Sequence, residues 1–322
     1  MSLQSFAEIW NEFFFAKQSP IPIALFRIVY GTLVIITLGL LRPDWLNWYG
    51  TNAWLSLPTA LKLEPGHRLN LFAIIPQSDA WVNAIFWLAV TSAVLLTIGL
   101  FTRSSSVVVF VCLSSIQQRN LYITHGGDTF LRLAGFFLIF APAGAALSLD
   151  RFIRVSRARQ YSPPRWQSPW AQRMIQIQLS LMYLTAFLVK LKGATWLQGT
   201  APFYVYHLDE LRHFPLPSWF FRPAVLKLGD WLALALEFAL GVLIWVREFR
   251  YVLLILGLLF HVWLEYSLNI PLFQWDILSA YILFVDANDI LRVGSGWLEP
   301  FGKTFRASAK HDEAVSRNSA VL

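Results

Sequence analysis

Eight stretches of the chain are apolar over roughly the length a hydrocarbon layer demands: residues 21–41, 81–101, 105–122, 129–147, 174–190, 231–246, 251–270 and 272–290. A bilayer-crossing helix needs about 20 mostly apolar residues, because every backbone N–H and C=O must be satisfied within the segment. The sequence is 56% hydrophobic and only 14% charged, where soluble domains are nearer a quarter charged. A water-soluble fold could not hide that much apolar surface. The pattern predicts an all-α, polytopic membrane protein with about eight transmembrane helices, its last two stretches divided only by Pro271.

Phe6, Ile9, Trp10, Phe13 and Phe14 recur at i, i+3, i+4, i+7 and i+8. That spacing predicts an amphipathic helix too short to span, lying in the membrane interface. The expected organisation is an interfacial helix over residues 1–20, a transmembrane domain over 21–295, and a disordered tail over 296–322, where apolar periodicity stops. The first apolar run follows Glu8, Glu12 and Lys17 rather than a basic leader region, so no cleaved signal is expected. Residues 42–80 form a connection rich in Trp and Pro, with Trp45, Trp48, Tyr49 and Trp54 suited to headgroup depth. Cys112 is the single cysteine, so no intrachain disulfide can form.

Lysine and arginine set the orientation. With eight spans, the side that holds the N-terminus carries fifteen Lys and Arg against eight on the other. The positive-inside rule then predicts cytoplasmic N- and C-termini in a cell inner membrane, with the loops 42–80, 119–128 and 191–230 facing outward.

Ionisable residues inside such spans are costly unless they pair, face a polar interior or snorkel. Here they are Arg27, Arg132, Lys190, Glu237, His261, Glu265 and Asp276. Lys190 closes the fifth stretch, and Tyr183 and Gln176 lie seven and fourteen residues before it on roughly one helical face. Two readings of that stripe remain open. A polar cavity would favour an uncharged amine able to act as a base; a lysine near a helix end can also simply snorkel to the headgroups. His261 and Glu265 are spaced i, i+4, fit for a proton relay or for an interhelical hydrogen-bond network. Asp128, in THGGDTFLR, is a candidate N-cap, with His125 adding a titratable group beside it. The spacing of His207, Asp209, Glu210 and His213 suits a metal poorly, and no metal is expected. No P-loop, GxGxxG, GxSxG or HExxH element is present, nor any nucleic-acid motif.

The blocks ALFRIVYG (24–31), GGDTFLRL (126–133), FLIFAPAGAALSLDR (137–151), KLKGATWLQGTA (190–201) and FHVWLEYSLNIPLFQWDIL (260–278) occur in an order that resembles the HTTM family, bacterial relatives of the membrane domain of vitamin K-dependent gamma-carboxylase. The resemblance spans roughly residues 6–292. It implies a chemistry in which a lysine amine deprotonates reduced vitamin K, oxygen adds, and the strong base so formed takes a proton from a glutamate side chain that then captures carbon dioxide. It places that lysine at Lys190, with His261 and His125 as the matching imidazoles and Asp128 as a supporting group. Tyr183, Gln176, Trp196, Glu265 and Arg27 are the polar and aromatic candidates for holding a reduced quinone. Implied partners are membrane lipid, a lipophilic quinol, and a peptide or protein on the extracytoplasmic side. Relative to the animal carboxylase, the extracytoplasmic C-terminal domain on which a protein substrate would dock is not expected here. The adjacent lysine pair becomes Lys190-Leu191-Lys192, and a GGD element stands in the asparagine-histidine region. The alternative is a non-catalytic membrane scaffold, an export or immunity partner that keeps the fold and uses the same polar residues to lock the bundle.

Overall fold

The computed structural model describes residues 3–63, 69–158 and 162–298. Among them every regular element is a helix, joined by two isolated backbone bridges, Gln18 to Gln167 and Arg212 to Leu268. The tail expected from residue 296 lies, from 299 onward, outside the described residues. Helix α1 (Leu3–Phe15) keeps Phe6, Ile9 and Trp10 exposed, while Phe13 packs on Trp245 and lies under the Arg173 guanidinium. An apolar face left uncovered by protein is what an interfacial helix requires.

After α1 come α2 (Ile21–Leu41), α3 (Trp45–Tyr49), α4 (Leu57–Leu63), α5 (Asp79–Ile98), α6 (Thr102–Arg119), α7 (Gly126–Phe140) and α8 (Leu149–Ala158). The second half holds α9 (Trp170–Leu191), α10 (Ala194–Gln198), α11 (Ala201–Tyr206), α12 (Pro223–Val242), α13 (Arg247–Ser267), α14 (Phe273–Ser279) and α15 (Ala287–Leu298). Helices α2 and α12 carry proline in their first turn, where its missing N–H has no partner to lose. Helix α5 stops at Gly99, whose φ of 72° is the left-handed cap that a residue without Cβ adopts freely.

Five helices are long and apolar enough to cross a membrane: α2, α5, α9, α12 with its 3-10 extension to Trp245, and α13. The other three apolar stretches fold differently. The 105–122 stretch lies largely in α6, which is 18 residues long but rich in Ser, Thr and Gln, and is largely buried. The 129–147 stretch becomes α7, only 15 residues, about 22 Å at 1.5 Å per residue. The 272–290 stretch is broken. Leu272 adopts φ 60° after Pro271, α14 runs for seven residues, and a 3-10 turn over Ala280–Phe284 comes next.

That broken segment sits at the centre. Helices α2, α5, α6, α7, α9, α12 and α13 pack each on the next in chain order, and α14 touches α2, α7 and α13 at once. The core around it is Phe26, Tyr30, Phe130, Leu131, Ile175, Leu179 and Ile277, all buried.

One end of the bundle is fastened by charge. Arg27 is fully buried and donates to the carbonyls of Ala143 at 3.0 Å, Leu147 at 2.6 Å and Thr97 at 3.4 Å. These carbonyls lie at the end of α5 and in the turn before α8, where backbone acceptors have no helical partner. A Cβ at Gly99 would meet Arg27 Nη1 at 2.4 Å, so glycine there serves both the cap and the guanidinium. Nearby, Phe101 holds φ 48°, a strained conformation for a residue with a Cβ. Asp150 stabilises it: Oδ1 accepts from Phe101 N–H at 2.9 Å, and Oδ2 accepts from Thr102 N–H at 2.8 Å and Thr102 Oγ1–H at 2.7 Å.

Partial burial pushes the Asp150 carboxyl up, but the Thr102 and Phe101 donors, with Arg154 nearby, outweigh it and hold the group below its ordinary value. A depressed carboxyl contributes stability that is complete above the unfolded value of about 4 and is lost as pH falls through the folded one. Asp150→Asn is therefore expected to cost about 1 kcal/mol at pH 7 and to lack part of the wild-type loss below about pH 4. Thermal unfolding in detergent across pH 3–7 checks this (roughly the carboxylate titration range); identical acid limbs in the two proteins would remove Asp150 as the source.

Candidate functional site

Helix α9 starts beside α1, where Arg173 Nε donates to Phe13 O at 3.2 Å, and runs to the opposite end of the bundle. Its last full turn presents Lys190. The side chain turns onto a neighbouring helix. It is 23% exposed, and its ammonium pairs directly with Oε1 of Glu237, a residue of α12 whose side chain is 6% exposed. The ring of Trp196 on α10 covers it, with Nζ 4.9 Å from the ring centroid. Glu237 Oε2 is buried without a hydrogen-bond partner among the described residues. Asp230 is fully buried one heptad before Glu237 on the same helix.

Tyr183, two turns before Lys190, opens a second set of contacts. His261 on α13 has one nitrogen, Nδ1, 2.5 Å from Gln274 Oε1. An amide oxygen only accepts, so Nδ1 carries the proton and Nε2 accepts from the Tyr183 hydroxyl at 2.6 Å. The Tyr183 oxygen lies 2.7 Å from the Tyr281 hydroxyl. All four side chains are buried. Gln274 lies on α14 and Tyr281 on the 3-10 turn after it, and they meet His261 and Tyr183 respectively. Gly257 makes room for this: a Cβ there would sit 2.2 Å from Tyr281 Oη. Tyr183 and Lys190 are seven residues apart on α9, so the Tyr183–His261 set and the ion pair lie on one face of that helix about 10 Å apart along its axis.

The structure thus brings Lys190, Tyr183, His261 and Trp196 into one region. It places the remaining sequence candidates elsewhere. Gln176 is buried one heptad below Tyr183 and donates to Leu283 O at 2.7 Å, joining Gln172 on the same carbonyl at 3.1 Å. His125 and Asp128 form a reciprocal cap at the start of α7. His125 Nδ1 accepts from Gly127 N–H at 3.1 Å, and Asp128 Oδ2 accepts from His125 N–H at 2.9 Å. The same tautomer leaves His125 Nε2–H to donate to Pro271 O at 3.0 Å. Glu265 turns away from His261 and accepts from Trp275 Nε1–H at 3.1 Å. Arg27 fastens the other end of the bundle. His207 bonds Phe203 O and His213 bonds Glu265 O, each on its own, and among the described residues no group of three His, Cys, Asp or Glu converges as for a metal ion.

Glu237, Asp230, Gln274 and Tyr281 complete the site without having been selected from the sequence as site residues. Glu237 was legible as a charge in a span. Asp230 was not, because α12 begins at Pro223, eight residues before the apolar stretch suggests. An apolar groove of about 350 Å3 runs between α2 and α14, lined by Val29, Leu33, Ile36, Trp275, Leu278 and Ile282. None of the sequence-selected site residues lines it.

Long apolar helices, an uncovered amphipathic helix and a buried, internally paired polar cluster define a polytopic helical membrane protein. The HTTM domain matches residues 15–288, and the chain belongs to the HTTM family. No curated protein and no solved structure matches it.

Removing one partner of a buried ion pair leaves the other uncompensated. Lys190→Met and Glu237→Gln are each expected to lower stability, while the double variant recovers part of the loss, a coupling of about 1–3 kcal/mol by thermal unfolding. Additive losses would mean that the two groups do not act as a pair. Gly257→Ala should displace the Tyr281 hydroxyl and cost about 1–3 kcal/mol; an unchanged melting temperature would show that Tyr281 can give way freely.

Proposed function

We propose that this protein is a membrane-embedded enzyme of the carboxylase or oxygenase type that acts with a lipophilic quinol, with Lys190 as the proton acceptor. The observation that carries the reading is the inward ion pair of Lys190 and Glu237, set against the Tyr183–His261 hydrogen bond. The residues fit a quinol: a buried carboxylate oxygen lacks a partner, an amine lies beside it, and an indole ring covers the amine. When bound, the quinol would supply a strong base after reaction with oxygen.

The chain's own groups do the positioning and move the proton. Glu237 Oε2, buried without a partner among the described residues, would accept a hydrogen bond from a hydroxyl of the ligand. Within the pair one proton can pass between Lys190 Nζ and Glu237 Oε1, leaving a neutral amine to take the next from the ligand hydroxyl. His261, fixed by Gln274 as the Nδ1–H tautomer, holds the Tyr183 hydroxyl pointing at Nε2. Trp196 limits water at the amine. We further infer an eight-segment topology in a cell inner membrane, with α6, α7 and the α14 segment as inner elements and both termini cytoplasmic. Lys190 then lies near the outer face, beneath the aromatic-rich residues 193–222, where a peptide or protein partner would meet it.

A second reading is favoured by the completeness of the internal pairing. Lys190 has Glu237, and both His261 nitrogens are engaged. A non-catalytic scaffold would use the same contacts only to lock α9, α12, α13 and α14 together.

Oxygen uptake by purified protein in lipid nanodiscs, with reduced vitamin K or menaquinol added, separates the two. The enzyme reading expects quinol-dependent uptake that falls about a hundredfold or more in Lys190→Ala and is also reduced in Glu237→Gln. Uptake equal to empty nanodiscs in the folded wild type, or equal in wild type and Lys190→Ala, would leave the scaffold.

A further inference from the structure

A second polar feature lies at the end of the bundle away from Lys190, on the side that carries α1. A cleft of about 240 Å3 opens between the first turn of α6, the turn over residues 141–145 and helix α8. Its floor is small: Ala141, Pro142, Gly144 and Ala145. Arg103 and Arg154 line it, and both are exposed. Thr102 and Asp150 also line it, but their polar atoms are turned on each other, and Ser106 Oγ–H donates to Thr102 O at 2.8 Å. The two guanidiniums are thus the groups at the cleft with hydrogen-bonding capacity directed outward, and Asp150 offsets one of the two charges in part.

The surroundings of the cleft are apolar and uncovered. Phe101, whose N–H is held by Asp150, is 67% exposed, and Phe152, two residues beyond Asp150, is 67% exposed as well. Leu149 is also exposed. Along α8, Leu149, Phe152, Ile153 and Ser156 fall on one arc, and Arg151, Arg154 and Arg157 fall on the other. Such a helix lies in the plane of the interface with its cations at headgroup depth. Asp150 fixes the helix to α6 at that depth, so Arg103 and Arg154 are held in place beside the exposed phenylalanines.

We propose that this cleft is a binding site for an anionic phospholipid, its phosphodiester held between Arg103 and Arg154 and its chains passing over Phe101 and Phe152. A free phosphate would need the arginines and gain nothing from the aromatic flank. A zwitterionic lipid would use the flank but bring a choline cation towards two guanidiniums. Only an amphiphile of net negative charge matches both halves.

The test is native mass spectrometry of the full chain in detergent, titrated with phosphatidylglycerol, phosphatidylcholine or inorganic phosphate. The wild type is expected to retain one phosphatidylglycerol in preference to phosphatidylcholine, with millimolar phosphate failing to displace it. Arg103→Gln/Arg154→Gln should weaken retention by roughly thirtyfold, the effect of removing two arginines from an anionic lipid surface. Arg247→Gln, an exposed arginine of α13, should leave it unchanged. Equal retention of the two lipids, displacement by phosphate, or a folded double variant that binds like wild type would each overturn the proposal. Should the double variant not fold, the three-ligand comparison on the wild type still decides.

Discussion

A charged amine inside a hydrocarbon-bound helix bundle must find an opposite charge or reach water, because its desolvation costs several kcal/mol. Lys190 takes the first course, with Glu237 across the α9–α12 seam. Much else at that end depends on the choice. Helix α12 must start early enough to bring its acidic face alongside α9, and Trp196 folds back over the ammonium. Tyr183, one heptad earlier on α9, is then held facing α13 and the central segment, where His261 and Tyr281 satisfy it. At that end the polar contacts of α9 lie along one face, from Lys190 to Tyr183.

The central segment shows how irregular backbone is accommodated in such a fold. Helix α13 ends at Ser267, where Leu268 turns extended, and the stretch that follows Pro271 and the left-handed Leu272 is short and broken for a segment at membrane depth. Surrounded by α2, α7 and α13, it has no need to. Non-helical backbone is tolerated at membrane depth where protein covers it. That cover lets Gln274, Asp276 and Tyr281, all buried, project from one short stretch towards different neighbours.

The two ends of the molecule use charge in opposite ways. At the α1 end, Arg27 collects carbonyls left over at helix ends, and Asp150 collects N–H groups at a helix start, so both charges serve the backbone. At the Lys190 end the charges face each other and leave a carboxylate oxygen without a partner. Backbone fastening accounts for the first arrangement, apart from a buried Arg27 Nε–H without a partner among the described residues. The second leaves an acceptor unused, which is the property expected of a place where a ligand hydroxyl can bind.

The apolar runs, their spacing and the amphipathic face of residues 6–14 determined that the chain is helical and built for a bilayer, because the cost of exposed backbone in lipid leaves few other options. The stripe Gln176, Tyr183, Lys190 was legible for the same reason: residues seven apart share a helical face whatever surrounds them. The partners were not legible. Arg27 and Lys190 look alike as cations in apolar runs, yet one meets carbonyls and the other a carboxylate. His261 and Glu265 are spaced as a pair, yet one turns to Tyr183 and the other to Trp275. Asp128 reads as a cap from its position, and as chemistry, with His125, only from the resemblance; His125 Nδ1 and Asp128 Oδ2 together cap α7. Local periodicity fixes which residues share a face. Only the packing of one helix against another decides what that face meets, since the groups that meet Lys190, Tyr183 and Arg27 come from segments 47 or more residues distant in the chain.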